Sequence, residues 1–590
     1  MLFSELAEYY DKLESVSSRL TMVDILAELF KRMKAEELEK SVYITQGMLL
    51  PPFEGLELGV AEMIVEDSAA LATGYEKAQV DREYKRSGDM GLAVQGIKSA
   101  TRFKRMDSKR YTVLETYEKV RKIAETGGEG SKEKKINMLA DMISAATPVE
   151  AKYMVRYVLG QLRMGVGDST IMEALSVTAT GDRKLKPKLE RAYNICSDLG
   201  LVAMELAKGG PDAIENFKVM LFKPIRPALA ERLPTAEQIL ERMHGIAAIE
   251  QKYDGFRVQI HKDGSEVKLF SRRLENTTNM FPDIVKAVKD EVNEKRIIFE
   301  GEALAFNEST LEYLPFQETI QRKRKHDVAK KAEELPLHLF AFDILYLNNR
   351  DWLSEPYKKR REKVEEIFSK GRFITPTVRI VTKSPKALEE FFEKSIENGL
   401  EGVIAKDLDA PYIAGARKFS WIKLKRSYKG ELSDTLDLVI VGYYLGRGSR
   451  AEFKFGGLLC ATYNKKRDVF ETVSRIGTGF TEQQMQELKT MLDRIKSKSK
   501  PARIDSIVEP DFWVQPRYVV TINADEITKS PMHTCGRERQ QNGIETGYAL
   551  RFPRLVGPTA IRKDKGPEDA TTTEEVKEMY GQQKKVGVKE

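Results

Sequence analysis

The sequence predicts a multidomain protein with an all-α N-terminal region, an α+β middle region and an all-β C-terminal region. Three observations predict it. The chain has 590 residues, too many for one hydrophobic core. Roughly the first 215 residues carry apolar stripes at helical spacing, and the texture then changes to short β-type runs separated by turn residues. Towards the C-terminus several short strands follow one another between glycine turns, the pattern of a small barrel.

The helical reading rests on periodicity and punctuation. From Thr21, read as an N-cap, apolar residues recur at Met22, Ile25, Leu26, Leu29, Phe30 and Met33, a stripe of period 3.6. A second periodic segment spans 151–164 behind Thr147-Pro148, and a third stops at Gly209-Gly210, where paired glycines end a helix. Thr126 to Gly130 reads as a loop between helical units. The prolines of Lys223-Pro224-Ile225-Arg226-Pro227 mark the change of texture, so the first domain is taken as 1–217.

The middle domain is taken as 218–427. Phe256 to Ile260 alternates as a half-buried strand, Asp263-Gly264 is a hairpin turn and Val267–Phe270 is the returning strand. Further strands are expected at 296–299, 339–345 and 402–406, with helical segments between them. The third domain, 428–590, begins near Lys429-Gly430. It holds β-type runs at 436–444, 456–463 and 517–524, with a turn at Gly446-Arg447-Gly448. Thr571 to Thr573 followed by Glu574 and Glu575 reads as the cap of a short terminal helix, and a charged, disordered tail is expected beyond it.

Composition narrows the class. Charged residues make up 32% and hydrophobic residues 41%, a globular balance with a very polar surface. The net charge of +7 and pI near 8.8 permit a polyanionic partner without demanding one. No run of 18 apolar residues occurs and the acidic N-terminus has no basic leader, so neither a membrane span nor a secretory signal is expected. Cys196, Cys460 and Cys535 are far apart in sequence. They make neither a four-cysteine zinc site nor a disulfide framework, which fits a reducing cytoplasm.

Lys252-Tyr253-Asp254-Gly255-Phe256-Arg257 carries the candidate nucleophile. Lys252 stands just before a strand and a glycine turn, where a side chain can face a cleft. A lysine amine attacks phosphorus only when neutral, and its ordinary pKa is near 10.4, so the site has to favour the free amine. Lys406, Lys423 and Lys425 are available as neighbouring cations. Arg272, in Ser271-Arg272-Arg273, offers a guanidinium fork for two phosphate oxygens. Strand alternation puts Glu300 and Glu302 on one face, a pairing suited to Mg²⁺ or a ribose hydroxyl. In Glu401-Gly402-Val403-Ile404-Ala405-Lys406 a buried strand has a carboxylate at one end and a cation at the other. Lys423 and Lys425 alternate with Ile422 and Leu424, so both amines leave the strand on one side and suit a triphosphate.

Those segments, with Glu250, Phe340-Ala341-Phe342-Asp343, Arg417 and a last cluster at Arg551-Phe552-Pro553-Arg554 and Arg562-Lys563-Asp564-Lys565, follow one another in the order of a known family. The chain resembles the covalent nucleotidyltransferase superfamily of ATP-dependent DNA ligases and capping enzymes, and within it the archaeal and eukaryotic replicative type of DNA ligase. The resemblance implies a helical DNA-binding domain, an ATP-grasp-like adenylation (nucleotidyltransferase) domain and a C-terminal OB-fold. It implies that Lys252 becomes an AMP-lysine, that Glu250 flanks the adenine and that Arg257 reaches the ribose and phosphate region. Arg272 then contacts the α-phosphate or the 5′-phosphate of the nick. Glu302 contacts the ribose and, with Glu401, the metal, while Glu300 stands where the family has an aspartate. Phe342 stacks on adenine. Arg417, Lys423 and Lys425 join the nucleotide site. Lys406 is a phosphate or nucleophile partner, and Arg562 and Lys565 orient pyrophosphate.

The implied cofactors are ATP and Mg²⁺, with Mn²⁺ able to substitute. The implied partner is nicked double-stranded DNA, in replication, repair and recombination, gripped through Lys152–Arg156, Arg163–Gly165 and Asp168–Thr170. A monomer in a prokaryotic, archaeal-type cytoplasm is expected, with no membrane. A sliding clamp is a further expected partner, although Gln95 to Phe103 lacks the paired aromatics of the usual clamp motif. Arg322-Lys323-Arg324-Lys325 reads as a solvated helix face. Three alternatives remain open on sequence. A capping guanylyltransferase shares the lysine motif but usually lacks a long helical N-terminal region. An NAD-dependent ligase carries a four-cysteine zinc site. A catalytically dead DNA-binding scaffold would have lost the motif residues that stand here.

Overall fold

Helix punctuation in the first region follows local chemistry. Thr147 and Glu150 form a capping box, with Glu150 N donating to Thr147 Oγ1 at 3.3 Å and Thr147 N to Glu150 Oε2 at 2.7 Å. Pro148 occupies the first turn, where its missing N–H is no loss. The computed structural model describes residues 1–100, 110–307, 312–313, 332, 335–398, 400–425, 435–446, 454–477, 479–524, 526–539, 545–556, 560–562 and 564–585. Within them the helical region runs from Phe3–Glu14 to Leu199–Glu215.

Two expected details change. The helix Arg19–Lys31 is capped by Ser18, whose Oγ accepts from Thr21 N, so Thr21 lies one turn inside rather than at the cap. The segment expected helical over 151–164 is helix only to Val158. Gly160 has φ of 69° and Arg163 of 56°, both left-handed and incompatible with a continuing helix. Leu162 and Met164 stay buried in the irregular stretch that follows, which is why their spacing imitates a helix. Gly210 does break its helix, with φ 64° and ψ −162° ahead of Pro211. The loop expected at 126–130 separates Val113–Glu125 from Ser131–Ala145.

Lys152 and Arg156 do not grip a solvent-borne partner in this structure. They are 4% and 3% exposed and bind the buried side of the helical region together. Lys152 contacts Asp11 at 2.5 Å and Glu14 at 3.1 Å, and Arg156 contacts Glu14 at 2.7 Å and Asp89 at 2.8 Å. Their reading as backbone contacts to DNA is therefore corrected. A charged side chain at helical spacing reads the same whether water or carboxylates receive it.

The β-sheet of the middle region has the order Glu266–Ser271, Phe256–Asp263, Arg296–Asn307, Leu337–Leu347, Arg350–Asp351, with Ile374–Pro376 alongside Leu337–Leu347 in parallel. Asp263 pairs with Glu266 across a two-residue turn in which Gly264 takes φ 58°. Val258, Ile260, Phe299 and Ile344 pack with Val364 and Phe368 of the helix Tyr357–Phe368 to form this sheet's core. A five-stranded sheet has the order Leu229–Arg232, Arg417–Lys425, Gly402–Lys406, Ala247–Lys252, Arg379–Thr382. Its buried face packs against the helices Ala236–Arg242 and Pro385–Glu397.

The C-terminal region is built on antiparallel strands Leu436–Tyr444, Gly457–Asn464 and Val469–Ile476, within a nine-stranded sheet with hydrophobic clusters on both faces. The terminal helix Thr573–Lys585 starts at Thr572, whose Oγ1 accepts from Glu575 N at 3.3 Å while Thr572 N donates to Glu575 Oε2 at 2.6 Å. The expected capping chemistry is present. The tail beyond Lys585, the turn at Arg447-Gly448, the boundary at Lys429-Gly430, the basic run Arg322–Lys325 and the clamp-motif residues 101–103 lie outside the described residues. Among the described residues no helix is long and apolar enough to cross a membrane, and Cys196, Cys460 and Cys535 are buried free thiols.

Compactness divides the chain into two units. One comprises Met1–Glu231, Tyr253–Arg379 and Lys406–Trp421, and the other Arg232–Lys252, Ile380–Ala405 and Ile422–Glu590. The first unit joins helices to the larger middle sheet because the connecting segment is stitched to that sheet by side chains. Phe222 N donates to His261 Nδ1 at 2.9 Å and Ile225 N to Gln259 Oε1 at 2.7 Å, while Gln259 Nε2 donates back to Ile225 O at 2.9 Å. His261 and Gln259, two apart on one strand face, thus imitate a neighbouring strand.

The fully buried His261 is held neutral. Burial and the nearby Lys268 charge lower its pKa from 6.5 to about 3. Because the folded value is the lower one, the contribution to stability is complete above pH 6.5 and is lost as pH falls towards 3. Between those limits the expected loss approaches about 1.4 kcal/mol per pH unit from this group. Urea unfolding of the wild type and of His261→Asn at pH 7 and pH 4 checks it, since the variant should lack this component of the slope.

Candidate active site

Lys252 ends the strand Ala247–Lys252, and its backbone carbonyl accepts from Glu401 N at 3.0 Å. That bond seats the Glu401 side chain beside the lysine, and Lys252 Nζ donates to Glu401 Oε2. Lys425 Nζ contacts the other oxygen, Oε1. The three side chains are 18–20% exposed, so the cluster reaches solvent without being bathed in it. Two ammonium groups thus share one carboxylate. Glu250, two residues before Lys252 on the same strand, is buried. Lys423 and Lys425 are half-buried on either side of the buried Leu424, as alternation requires.

The backbone here depends on a glycine. Gly402 has φ 144°, and a Cβ on it would lie 2.2 Å from Leu424 O, so the strand after Glu401 closes on its neighbour only without a side chain.

In the other unit Arg257 is the centre of a hydrogen-bonded network. Its Nε and Nη2 donate to Glu300 at 3.2 and 2.6 Å, and Nη1 donates to Ala228 O at 2.7 Å. Tyr412, which the sequence reading did not single out, ties the same groups together. Its hydroxyl donates to Glu300 Oε2 at 2.8 Å and accepts from Ala228 N at 2.9 Å and Arg257 Nη2 at 3.1 Å. Burial disfavours the guanidinium charge, but Glu300 outweighs it and holds Arg257 well above its usual range. Glu302 stands directly opposite Arg257 across the strand pair. Glu300 and Glu302 share a face, yet Glu300 is 1% exposed and committed to Arg257.

Ser271 to Glu275 forms a turn in which Ser271 Oγ accepts from the N–H groups of Arg273 and Glu275, each at 3.2 Å. It leaves Arg272 exposed at the rim of a cleft that Arg257 and Glu300 also line. Arg417 is likewise exposed, at the start of its strand.

Phe342 is 9% exposed. Its ring meets Trp421 edge-to-face at 6.0 Å, and the Arg257 guanidinium lies 5.3 Å from its centre. Lys406 is 1% exposed, surrounded by the rings of Phe342, Tyr357 and Trp421 at 4.4–5.0 Å, and it donates to Phe342 O at 3.1 Å. The Lys406 ammonium, expected to serve a phosphate or the nucleophile, is enclosed by rings here and supports the strand that carries Phe342. Tyr253, next to the nucleophile in sequence, stacks on Phe340 at 4.0 Å. Gly255 admits no side chain, since its Cβ would lie 2.2 Å from Ala303 O. Arg562 and Lys565 meet at one carboxylate of the C-terminal region: Asp437 Oδ2 lies 3.1 Å from Arg562 Nη1 and 2.6 Å from Lys565 Nζ.

Among the described residues no three His, Cys, Asp or Glu side chains cluster as a ready-made metal cage. Glu401 nevertheless offers the hard oxygen donors that Mg²⁺ takes, and Mg²⁺ is ordinarily held by one or two carboxylates together with substrate phosphates. On donor chemistry the site fits it.

Three family models match the chain in sequence order: "DNA ligase N terminus" over 2–176, "ATP dependent DNA ligase domain" over 227–425 and "ATP dependent DNA ligase C terminal region" over 451–565. A relative described as "Probable DNA ligase" from Dictyoglomus turgidum is 50% identical over 590 residues, covering 100% of this chain and 99% of the relative. A "DNA ligase" from Hyperthermus butylicus is 43% identical, covering 99% of this chain and 98% of the relative. Among solved structures, "Pmar-Lig_Pre." covers 95% of this chain and 99% of its own, at 18% identity and a TM-score of 0.57, which shows a shared fold. The middle model spans every candidate from Glu250 to Lys425, and the identity to relatives extends from end to end. The chain therefore belongs to the ATP-dependent DNA ligase family.

Proposed function

We propose that this enzyme seals 5′-phosphate/3′-hydroxyl nicks in duplex DNA through an AMP carried on Lys252. The observation that carries the reading is the pairing of Lys252 and Lys425 on the single carboxylate of Glu401. It holds a semi-buried amine where it can reach a nucleotide, with a second cation beside it for the phosphates. In the first step the neutral amine attacks the α-phosphorus of ATP; a P–N bond forms, the bond to pyrophosphate breaks and the amine loses a proton. AMP then passes to the 5′-phosphate of the nick, and the 3′-hydroxyl finally displaces AMP. A divalent cation held by Glu401 would supply positive charge to the phosphate oxygens when bound, and Glu302, opposite Arg257, would contact the ribose.

The chain's own residues do the rest. Arg257, fixed by Glu300 and Tyr412, reads the ribose and phosphate region, with Arg272 at the rim for a phosphate. Phe342 is the platform for adenine, Glu250 flanks the base, and Arg417, Lys423 and Lys425 serve the nucleotide's phosphates. Arg562 and Lys565 orient the leaving pyrophosphate. Duplex DNA is the partner, held by backbone contacts that suit a nick of any sequence, and replication, repair and recombination are the settings where such nicks arise. A sliding clamp is a further proposed partner.

The test is to incubate the protein with α-labelled ATP and Mg²⁺, then add a singly nicked duplex. An AMP–protein adduct, its transfer to the nick and a sealed strand are the expected products. A protein that never acquires AMP would overturn the reading. Tyr412→Phe keeps the ring and removes three hydrogen bonds around Arg257. It is expected to raise the KM for ATP about tenfold, the effect of loosening one charge-assisted contact, while the adduct still forms at saturating ATP.

A further inference from the structure

Asp437 lies on the strand Leu436–Tyr444 opposite Thr521 of the strand Val519–Asn523. Thr521 Oγ1 donates to Asp437 Oδ1 at 2.6 Å, which turns the second oxygen, Oδ2, towards Arg562 and Lys565. Arg562 itself is on a strand paired with Val519, on the far side of Val519–Asn523. The carboxylate thus reaches diagonally across one strand to hold both cations at a single oxygen.

Its setting makes it the more enclosed of two anchors and the one that both cations share. Asp437 is 13% exposed, whereas Asp564, which takes two hydrogen bonds from Arg562, is 64% exposed. Burial alone would raise the Asp437 pKa, but the hydrogen bonds from Lys565 and Thr521 outweigh it and keep the group below the ordinary carboxylate range. Its backbone is fixed as well: Asp437 N donates to Thr571 Oγ1, and Thr571 N donates to Asp437 O. A rigid anion holding two otherwise long and mobile cations is the arrangement that pre-organises them for a developing charge.

We propose that Asp437 is a positioning residue for the adenylation step: it sets Arg562 and Lys565 as a pair, ready for the pyrophosphate that leaves when Lys252 takes AMP. The inference rests on the reading of those two cations as pyrophosphate contacts. It assigns Asp437 to one step of the three, because sealing an already adenylated nick releases no pyrophosphate.

The full-length enzyme tests it with two substrates, ATP for adduct formation and a pre-adenylated nicked duplex for sealing alone. Asp437→Asn is expected to slow AMP–protein formation about tenfold, a modest fraction of what losing a direct electrostatic contact costs. Sealing of the pre-adenylated nick should stay within twofold of wild type. Thr521→Val, which removes only the bond that turns the carboxylate, should show a smaller loss in the same step. Equal loss in both steps would mean that Asp437 merely holds the sheet together, and would overturn the proposal. So would an unchanged adenylation rate in Asp437→Asn when Arg562→Ala or Lys565→Ala slows it. If those two alanine variants form the adduct at the wild-type rate, it is the underlying reading of the cations that fails, whatever Asp437→Asn does.

Discussion

Lys252→Ala is expected to abolish the AMP–protein adduct and, with ATP as substrate, nick sealing, a loss on the order of a thousandfold or more, the scale seen when a covalent nucleophile is removed. Lys252→Arg is expected to be as inactive, because a guanidinium keeps its proton at any working pH and offers no lone pair to phosphorus. Both variants should still bind a nicked duplex, since the DNA contacts are not routed through this amine. Intact-mass measurement after incubation with ATP and Mg²⁺ reads the adduct directly. The decisive contrary result is an adduct that persists in Lys252→Ala, mapped by peptide mass to Lys423 or Lys425. Those two amines leave the strand Arg417–Lys425, which Gly402–Lys406 separates from the Lys252 strand in the same sheet, and Lys425 already contacts the Glu401 carboxylate. They are the substitutes the geometry allows. A glutamine at Glu401 should lower the adenylation rate with the nucleophile intact, which separates the carboxylate's role from the lysine's.

What could be read from the chain was what is local in it. The Asp263-Gly264 turn, the cap of the terminal helix at Thr572 and Glu575 and the break at Gly210 each depend on residues within a few positions, and each is where its residues placed it. The alternation of Lys423 and Lys425 was equally legible, because a strand has period two whatever lies opposite. What lay opposite was not legible. Lys406 follows an apolar strand as a cation should, and nothing nearby in sequence reveals that Phe342, Tyr357 and Trp421 enclose it. Tyr412 gave no signal because its partners, Ala228, Arg257 and Glu300, are all more than a hundred residues away. Asp437 is 125 residues from Arg562. The candidate motifs stand out by order and spacing; the groups that hold their residues in place depend on pairings that only the fold supplies.

Arg360→Leu is expected to lower the free energy of unfolding by about 3–5 kcal/mol, the cost of leaving a buried anion without its partner. Asp343 and Arg360 are both wholly buried. Arg360 Nε donates to Asp343 Oδ1 at 2.7 Å and Nη2 to Oδ2 at 3.3 Å. The remaining donor, Nη1, reaches the backbone carbonyls of Glu355 and Ala410, the latter at 3.2 Å. Removing the guanidinium therefore strips the Asp343 carboxylate of its counter-ion, leaving it the Ile344 N–H at 3.0 Å, and takes one donor each from the Glu355 and Ala410 carbonyls. Replacing both members of the pair, Asp343→Leu with Arg360→Met, should cost less than Arg360→Leu alone, because no charge is left unpaired. Urea unfolding of the three variants reads this, and a loss below about 1 kcal/mol in Arg360→Leu would rule out an ion pair that matters, being no more than an exposed pair contributes. The same change has a catalytic consequence. Ala410 is two residues from Tyr412, whose hydroxyl holds Glu300 and Arg257. Arg360→Leu leaves the Ala410 carbonyl held by Tyr357 N alone, at 2.9 Å, which loosens the segment that aims this hydroxyl, so the variant should show part of the raised KM for ATP expected of Tyr412→Phe. Asp343 follows Phe342 directly, and the buried pair thus fixes the strand bearing Phe342, the proposed adenine platform, from one end and the segment steadying Arg257 from the other. A variant that destabilises the fold while leaving the KM for ATP untouched would show that these two supports are independent.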